Sequence, residues 1–300
     1  MSSSDGPAGS PDALEDLLDL LDLERIEEDI FRGPSRSAVV PRVFGGQVAA
    51  QAMVAAGRTV AADRTAHSLH AYFLRTGDPD APIVYTVDRI RDGRSFTSRR
   101  VVAIQHGQPI FHLSASFHTY EEGLEHQSEM PRAPDPETLP TTAETLPGYA
   151  AGFVGQDVAD RLLEARAAVD LRYVDTPPYG SVGTPREPRS QVWFRTAGKL
   201  TDDPLLHICL ATYVSDMTLL DPVLLAHGRG GWVTGDVVGA SLDHAMWFHR
   251  PFRADEWLLY DQTSPTSHGG RGLGQARIFT RDGELAISVI QEGVIRVPRD

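Results

Sequence analysis

The sequence predicts an α+β chain built as two copies of one unit, a central helix wrapped by a curved antiparallel sheet, with the two sheets joined edge to edge. Three observations lead there. A stretch of almost only Ala and Val follows Gly45-Gly46-Gln47, a helix with so little bulk that a sheet can approach it on most sides. Strand-like runs come after it in series, separated by the hairpin pairs Asp92-Gly93 and His106-Gly107. The same order, a helix and then strands, returns in the second half and closes on the turn Asp282-Gly283.

The elements follow in order. Residues 1 to 11 form a Ser/Gly/Pro-rich lead-in that reads as disordered. Leu14, Leu17, Leu18, Leu21 and Ile26 then recur at helical spacing among Asp and Glu, with Ser10 as N-cap and Pro11 at the first helical position. This predicts an acidic amphipathic helix ending near Gly33-Pro34. The Ala/Val helix runs to Val60, and strands are predicted over His67 to Arg75, Ile83 to Arg91, Phe96 to Gln105 and Pro109 to Thr119. Together, residues 12–120 make the N-terminal unit. Residues 121–150, acidic and carrying Pro131, Pro134, Pro136, Pro140 and Pro147, read as a linker. Residues 151–300 make the C-terminal unit, with a helix from Phe153 to Ala168 and strands over Val169 to Val174 and Gln191 to Arg195. A third helix is capped by Asp203, opened by Pro204 and stopped by Asp221-Pro222; strands over Val237 to His249, Glu256 to Gln262, Leu273 to Thr280 and Glu284 to Arg296 complete the chain.

Direct comparison supports the repeat. Ser68 to Arg75 lines up with Ser241 to Arg250 once two residues are inserted, Arg94 then matches Arg271, and Gly107-Gln108-Pro109-Ile110 matches Gly283-Glu284-Leu285-Ala286. A swaddled helix present twice in one chain is the double hotdog architecture.

Composition narrows the function. The chain of 300 residues carries 41 acidic and 28 basic residues, a net charge of −13, which argues against nucleic acid or an anionic membrane surface as partner. Lys199 is the only lysine, so an anion site here would use guanidinium groups. One cysteine permits no internal disulfide. The start lacks a basic segment followed by an apolar one, and no apolar run approaches the roughly 18 residues of a membrane span. A cytoplasmic protein is expected.

Two residues break the apolar pattern. In the third helix Leu205, Cys209, Thr212, Asp216 and Leu219 share a face, so Asp216 sits in an apolar sector where an ionised carboxylate is expensive unless it is used. In the last strand Leu285, Ile287, Val289, Gln291 and Gly293 share a face by period 2, and Gln291 stands where a hydrophobe is expected. Other candidates carry less. The histidines lack metal-binding spacing, Gly45-Gly46 is no phosphate loop, no Gly-x-Ser-x-Gly elbow stands in a strand-turn-helix context, and Cys209 packs inside a helix. No metal and no cofactor is expected.

The chain resembles the acyl-CoA thioesterase II family along nearly its whole length. The resemblance lies in Val43-Phe44-Gly45-Gly46-Gln47, His67-Ser68-Leu69-His70-Ala71-Tyr72-Phe73, Arg91-Asp92-Gly93-Arg94-Ser95-Phe96, Tyr213-Val214-Ser215-Asp216, the run Asp243 to Phe252, and Gln291-Glu292-Gly293-Val294. It implies hydrolysis of acyl-CoA to fatty acid and CoA, with Asp216, Ser241 and Gln291 positioning and activating the water. Ser241 stands where Thr is the more familiar residue, which keeps the hydroxyl and loses a methyl. In the first repeat Ala115 occupies the slot of Gln291, and Ala52 to Ala56 lie opposite Asp216, so one active site per chain is expected. Arg94 and Arg271 are the expected contacts for CoA phosphates, and a homo-oligomer is the expected assembly. Two alternatives remain open: a hotdog hydratase or dehydratase using His244 beside Asp243, and an acyl-CoA-binding protein without turnover.

Overall fold

The computed structural model describes residues 9–36, 42–153 and 156–298. Most of the predicted lead-in, residues 1–8, lies outside the described residues. The helices are α1 (Pro11–Leu21), α2 (Gly45–Gly57), α3 (Thr142–Phe153), α4 (Gln156–Arg166), α5 (Pro204–Ser215) and α6 (Asp221–Ala226). The first-half strands are β1 (Glu24–Glu27), β2 (Ile30–Gly33), β3 (Thr65–Phe73), β4 (Ile83–Asp92), β5 (Phe96–Gln105) and β6 (Gln108–His118). The second half adds β7 (Val169–Tyr173), β8 (Arg189–Thr196), β9 (Val238–Ser241), β10 (Asp243–Phe248), β11 (Leu258–His268), β12 (Arg271–Thr280) and β13 (Leu285–Arg296).

All these strands join one antiparallel sheet in the order β1-β2-β4-β5-β6-β3-β10-β13-β12-β11-β8-β7, with β9 pairing β13 off the path. The halves meet where β3 pairs β10, from Tyr72 opposite Asp243 to Ser68 opposite Trp247. This is the double hotdog: two helix-wrapped sheets joined edge to edge. Gly46 to Ala56 are all buried in α2, as is most of α5, because each helix has sheet on one side and the other helix against it. The two run antiparallel. A Cβ on Gly46, at the start of α2, would meet the Tyr213 carbonyl near the end of α5, and one on Gly57, at the end of α2, would meet the Leu205 side chain at the start of α5.

Several predicted boundaries change. The first helix stops at Leu21, capped by Asp22, and the acidic stretch beyond it folds into the β1–β2 hairpin because β2 supplies the hydrogen-bonding edge that β4 requires. The helix expected from Phe153 to Ala168 is α4, and a further helix, α3, fills the end of the stretch read as linker. Asp221-Pro222 opens α6 rather than stopping α5, since a proline is tolerated in a first helical turn. The strand from Val237 to His249 divides at Leu242, whose N–H leaves the ladder to donate to the Glu292 carbonyl.

The stretch 121–150 is anchored across the outer face of the second sheet. Trp193 Nε1 donates to the Pro134 carbonyl at 2.9 Å, Trp257 Nε1 donates to Glu137 at 2.9 Å, and Arg281 pairs with Asp135 and Glu137. Its second part is the start of α3. No helix among the described residues is long and apolar enough to cross a membrane.

Candidate active site

The three residues singled out in the sequence meet at one point, supplied by three elements of the second repeat. Asp216 is the C-cap of α5, so its carboxylate emerges at a helix end and not from mid-face as the spacing suggested. Ser241 ends β9 and pairs with Gly293 of β13; Gln291 lies two residues back on that strand and therefore on the same face. Ser241 Oγ donates to Asp216 Oδ1 at 2.8 Å, and Gln291 Nε2 donates to the same oxygen.

The first repeat completes the cradle. The end of α5 is pressed against the N-terminus of α2, where orphan amides, that of Gly46 among them, and the helix dipole favour the ionised Asp216 carboxylate. A Cβ on Gly45 would lie 2.6 Å from Asp216 Oδ2. The pair Gly45-Gly46 thus permits a close approach at the start of α2, and what approaches is the carboxylate.

Burial pushes the Asp216 carboxyl above the ordinary aspartate value, opposed by the bonds from Gln291, Ser241 and Gly46 and by the charge of Arg42. The last turn of α5 is held from behind. Tyr260 donates to the Ser215 carbonyl at 2.9 Å, and Ser215 Oγ lies 2.8 Å from His244 Nε2. Gln291 is buried, and its Oε1 has no hydrogen-bond partner among the described residues.

Asp216 and Ser241 open into a pocket of about 980 Å³. Its lining combines apolar groups such as Leu17, Val48, Phe73 and Leu220 with several arginines, a lining suited to a long ligand that is apolar at one end and anionic at the other. Arg94 and Arg271 do not line this pocket. Arg94 is exposed at the β4–β5 turn, its carbonyl accepting from Arg64, and Arg271 pairs with Glu292 at 2.9 Å. Arg42 and Arg75 do line it, and sequence reasoning missed both. Arg42 stands directly before the Val43-to-Gln47 motif, a position that could have flagged it.

His244 and Asp243, adjacent on β10, point to opposite faces. Burial lowers the His244 imidazole to about 4, while Asp243 accepts from the Glu292 N–H at 2.6 Å. They form no acid–base pair, which removes the structural basis of the hydratase alternative. Cys209 is buried, its thiol pushed up by burial. Among the described residues no group of three or more His, Cys, Asp or Glu is placed to hold a metal ion.

The model of the acyl-CoA thioesterase family matches residues 163–294, and that of the acyl-CoA thioesterase N-terminal domain matches residues 34–118. The chain is 41% identical over 292 residues to acyl-CoA thioesterase 2 of Haemophilus influenzae, covering 95% of this chain and 98% of that protein. It belongs to the acyl-CoA thioesterase II family. An acyl-CoA thioesterase II of Mycobacterium marinum superposes with a TM-score of 0.77 at 44% identity, over 94% of this chain and 98% of that one. Human acyl-coenzyme A thioesterase 8 is 40% identical, over 93% of this chain and 88% of its own length. The thioesterase described here is accordingly a hydrolase of acyl-CoA thioesters.

Proposed function

We propose that Asp216 is the general base of the hydrolysis, that Ser241 and Gln291 position it and the attacking water, and that each chain holds one such site. The observation that carries this reading is the convergence of Ser241 Oγ, Gln291 Nε2 and the Gly46 N–H on one carboxylate beside the pocket. These donors favour the ionised carboxylate against the effect of its burial and aim it. Ser241 Oγ, which gives its own proton to Asp216 and lines the pocket, accepts one hydrogen of the water through a lone pair. Asp216 takes the other as the oxygen attacks the thioester carbonyl carbon, the tetrahedral intermediate expels the CoA sulfur, and the proton passes to the departing thiolate. The negative oxygen of the intermediate is placed at the first turn of α2, whose Gly45 N–H has no acceptor within the helix.

The test is Asp216→Asn, which keeps volume and removes the base. Turnover measured by thiol release should fall by about 10²- to 10⁴-fold with folding intact. Retention of more than half the activity would remove Asp216 from the mechanism.

The same reading includes a homo-oligomer in the cytoplasm. In support, β3, β5 and β6 carry no Asp or Glu although the chain has 41 acidic residues, and Tyr72 and Phe96 stand exposed on them. Such an outward face, without carboxylates and with aromatic rings exposed, suits contact with a second copy. Sedimentation showing only monomer would overturn the assembly. The lone cysteine, which allows no internal disulfide, fits a reducing compartment, and cell fractionation tests that placement.

A further inference from the structure

The charges around the pocket are unevenly partnered. Where α1 and α4 contribute, Asp12, Asp16 and Glu164 line it together with arginines, and Arg36 lies 3.5 Å from Asp16. Acid and base are mixed there. The part built by the segments 42–45, 73–77 and 239–242 is different, because Arg42 and Arg75 line it and the one carboxylate beside them among the described lining residues is Asp216.

These segments form one rim. The Val43 N–H donates to the Gly77 carbonyl at 3.1 Å, the Phe73 N–H donates to the Leu242 carbonyl at 2.9 Å, and Arg42 Nη2 donates to the Gly239 carbonyl at 2.8 Å. Arg75 Nη1 donates to the Pro109 carbonyl at 2.6 Å. Backbone carbonyls thus hold both guanidinium groups in place without neutralising them, and most of the five N–H donors of each meet no partner among the described residues. Neither makes an ion pair with a carboxylate among the described residues. In a chain of net charge −13, a pair of guanidinium groups fixed beside a pocket and ion-paired with no carboxylate among the described residues is a site made for an anion that arrives with the ligand.

We propose that Arg42 and Arg75 grip the phosphates of the CoA moiety and so set the direction in which the substrate lies. The nucleotide end rests on the rim of segments 42–45, 73–77 and 239–242. The acyl chain runs from Asp216 toward α1, where Leu17 and Leu20 face the pocket. The proposal rests on Asp216 marking the reacting thioester, and it assigns the phosphate contacts to residues other than Arg94 and Arg271.

The test compares acyl-CoA with the S-acyl-pantetheine of the same chain length, which carries the identical thioester and no phosphate. Arg75→Gln, alone and with Arg42→Gln, is expected to lower kcat/KM for acyl-CoA by about tenfold or more through KM, the loss of a charge-assisted contact. The pantetheine thioester should lose far less, so the preference for CoA collapses, and Arg75→Lys should restore part of it. The remaining preference should also depend less on salt. Equal losses on both substrates would mean a structural role and overturn the proposal. So would an undiminished preference in the double variant, or its loss in Arg94→Gln or Arg271→Gln. Failure of the catalytic reading is seen separately, since Asp216→Asn would then retain activity on both thioesters.

Discussion

Gly45 is the position where one added methyl tests the catalytic geometry without replacing a catalytic side chain. Its φ lies outside the left-handed region, so alanine fits the backbone. The obstacle is the space beyond. A Cβ there would stand 2.6 Å from Asp216 Oδ2 and 2.9 Å from Phe73 Cε1, whereas ordinary contact begins at 3.4 Å. The carboxylate must therefore retreat by roughly 0.8 Å. Asp216 cannot do so while keeping its partners, because a shift of that size away from Ser241 would stretch their 2.8 Å bond past hydrogen-bonding range. Misplacement on the order of 1 Å lowers turnover by about 10²-fold. Stability should barely move, as alanine is the better helix former by up to about 1 kcal/mol and offsets the local strain. The assay is kcat by thiol release beside a thermal melt, with Gly123→Ala as control, since a Cβ at Gly123 meets nothing within 4 Å. Gly45→Ala with more than half the wild-type kcat and an unchanged melt would refute the claim that the start of α2 holds the base in register.

Other expectations follow from the same geometry. Ser241→Thr should be tolerated and Ser241→Ala should raise the barrier by roughly 1.5 to 3 kcal/mol, the worth of a hydrogen bond to a charged group; a harmless Ala would make Ser241 structural. Because burial raises the Asp216 carboxyl and the base must be ionised, kcat/KM should fall as pH drops through a value above the ordinary 3.8, and Gln291→Leu, by removing a donor to the carboxylate, should move that limb higher still. A pH profile with Gln291→Leu unshifted would contradict this. Titration of Asp216→Asn with acyl-CoA should saturate near one equivalent per chain, because where the end of α2 meets the start of α5 the equivalent space is filled by Leu205 against Gly57. Two equivalents would show a second ligand site.

How much of this was legible beforehand depends on the range of the forces involved. Hairpin dipeptides, the bulk-free Ala/Val helix and the matching halves are local or repeated signals, and they sufficed for two helices each wrapped by sheet. Gln291 was visible for the same reason: period 2 is a property of the strand alone, and an amide in an apolar row is conspicuous. Asp216 was found by a helical face that does not extend to it. The residue caps α5 instead, and the flag held because a carboxylate among hydrophobes is costly in either setting.

Only the tertiary structure decided the rest. Nothing local ends α1 at Leu21 in favour of a hairpin; the open edge of β4 does that. Nothing local joins Gly46 of one repeat to Asp216 of the other, 170 positions away by their numbers, since antiparallel packing of α2 on α5 creates that contact. Arg42 and Arg75 acquire meaning only when the rim brings them beside one pocket. Periodicity tells which face of an element is buried, because that follows from the geometry of one helix or strand. Which charge lies against which helix end depends on how the elements pack, and that is settled by contacts between residues far apart in the chain.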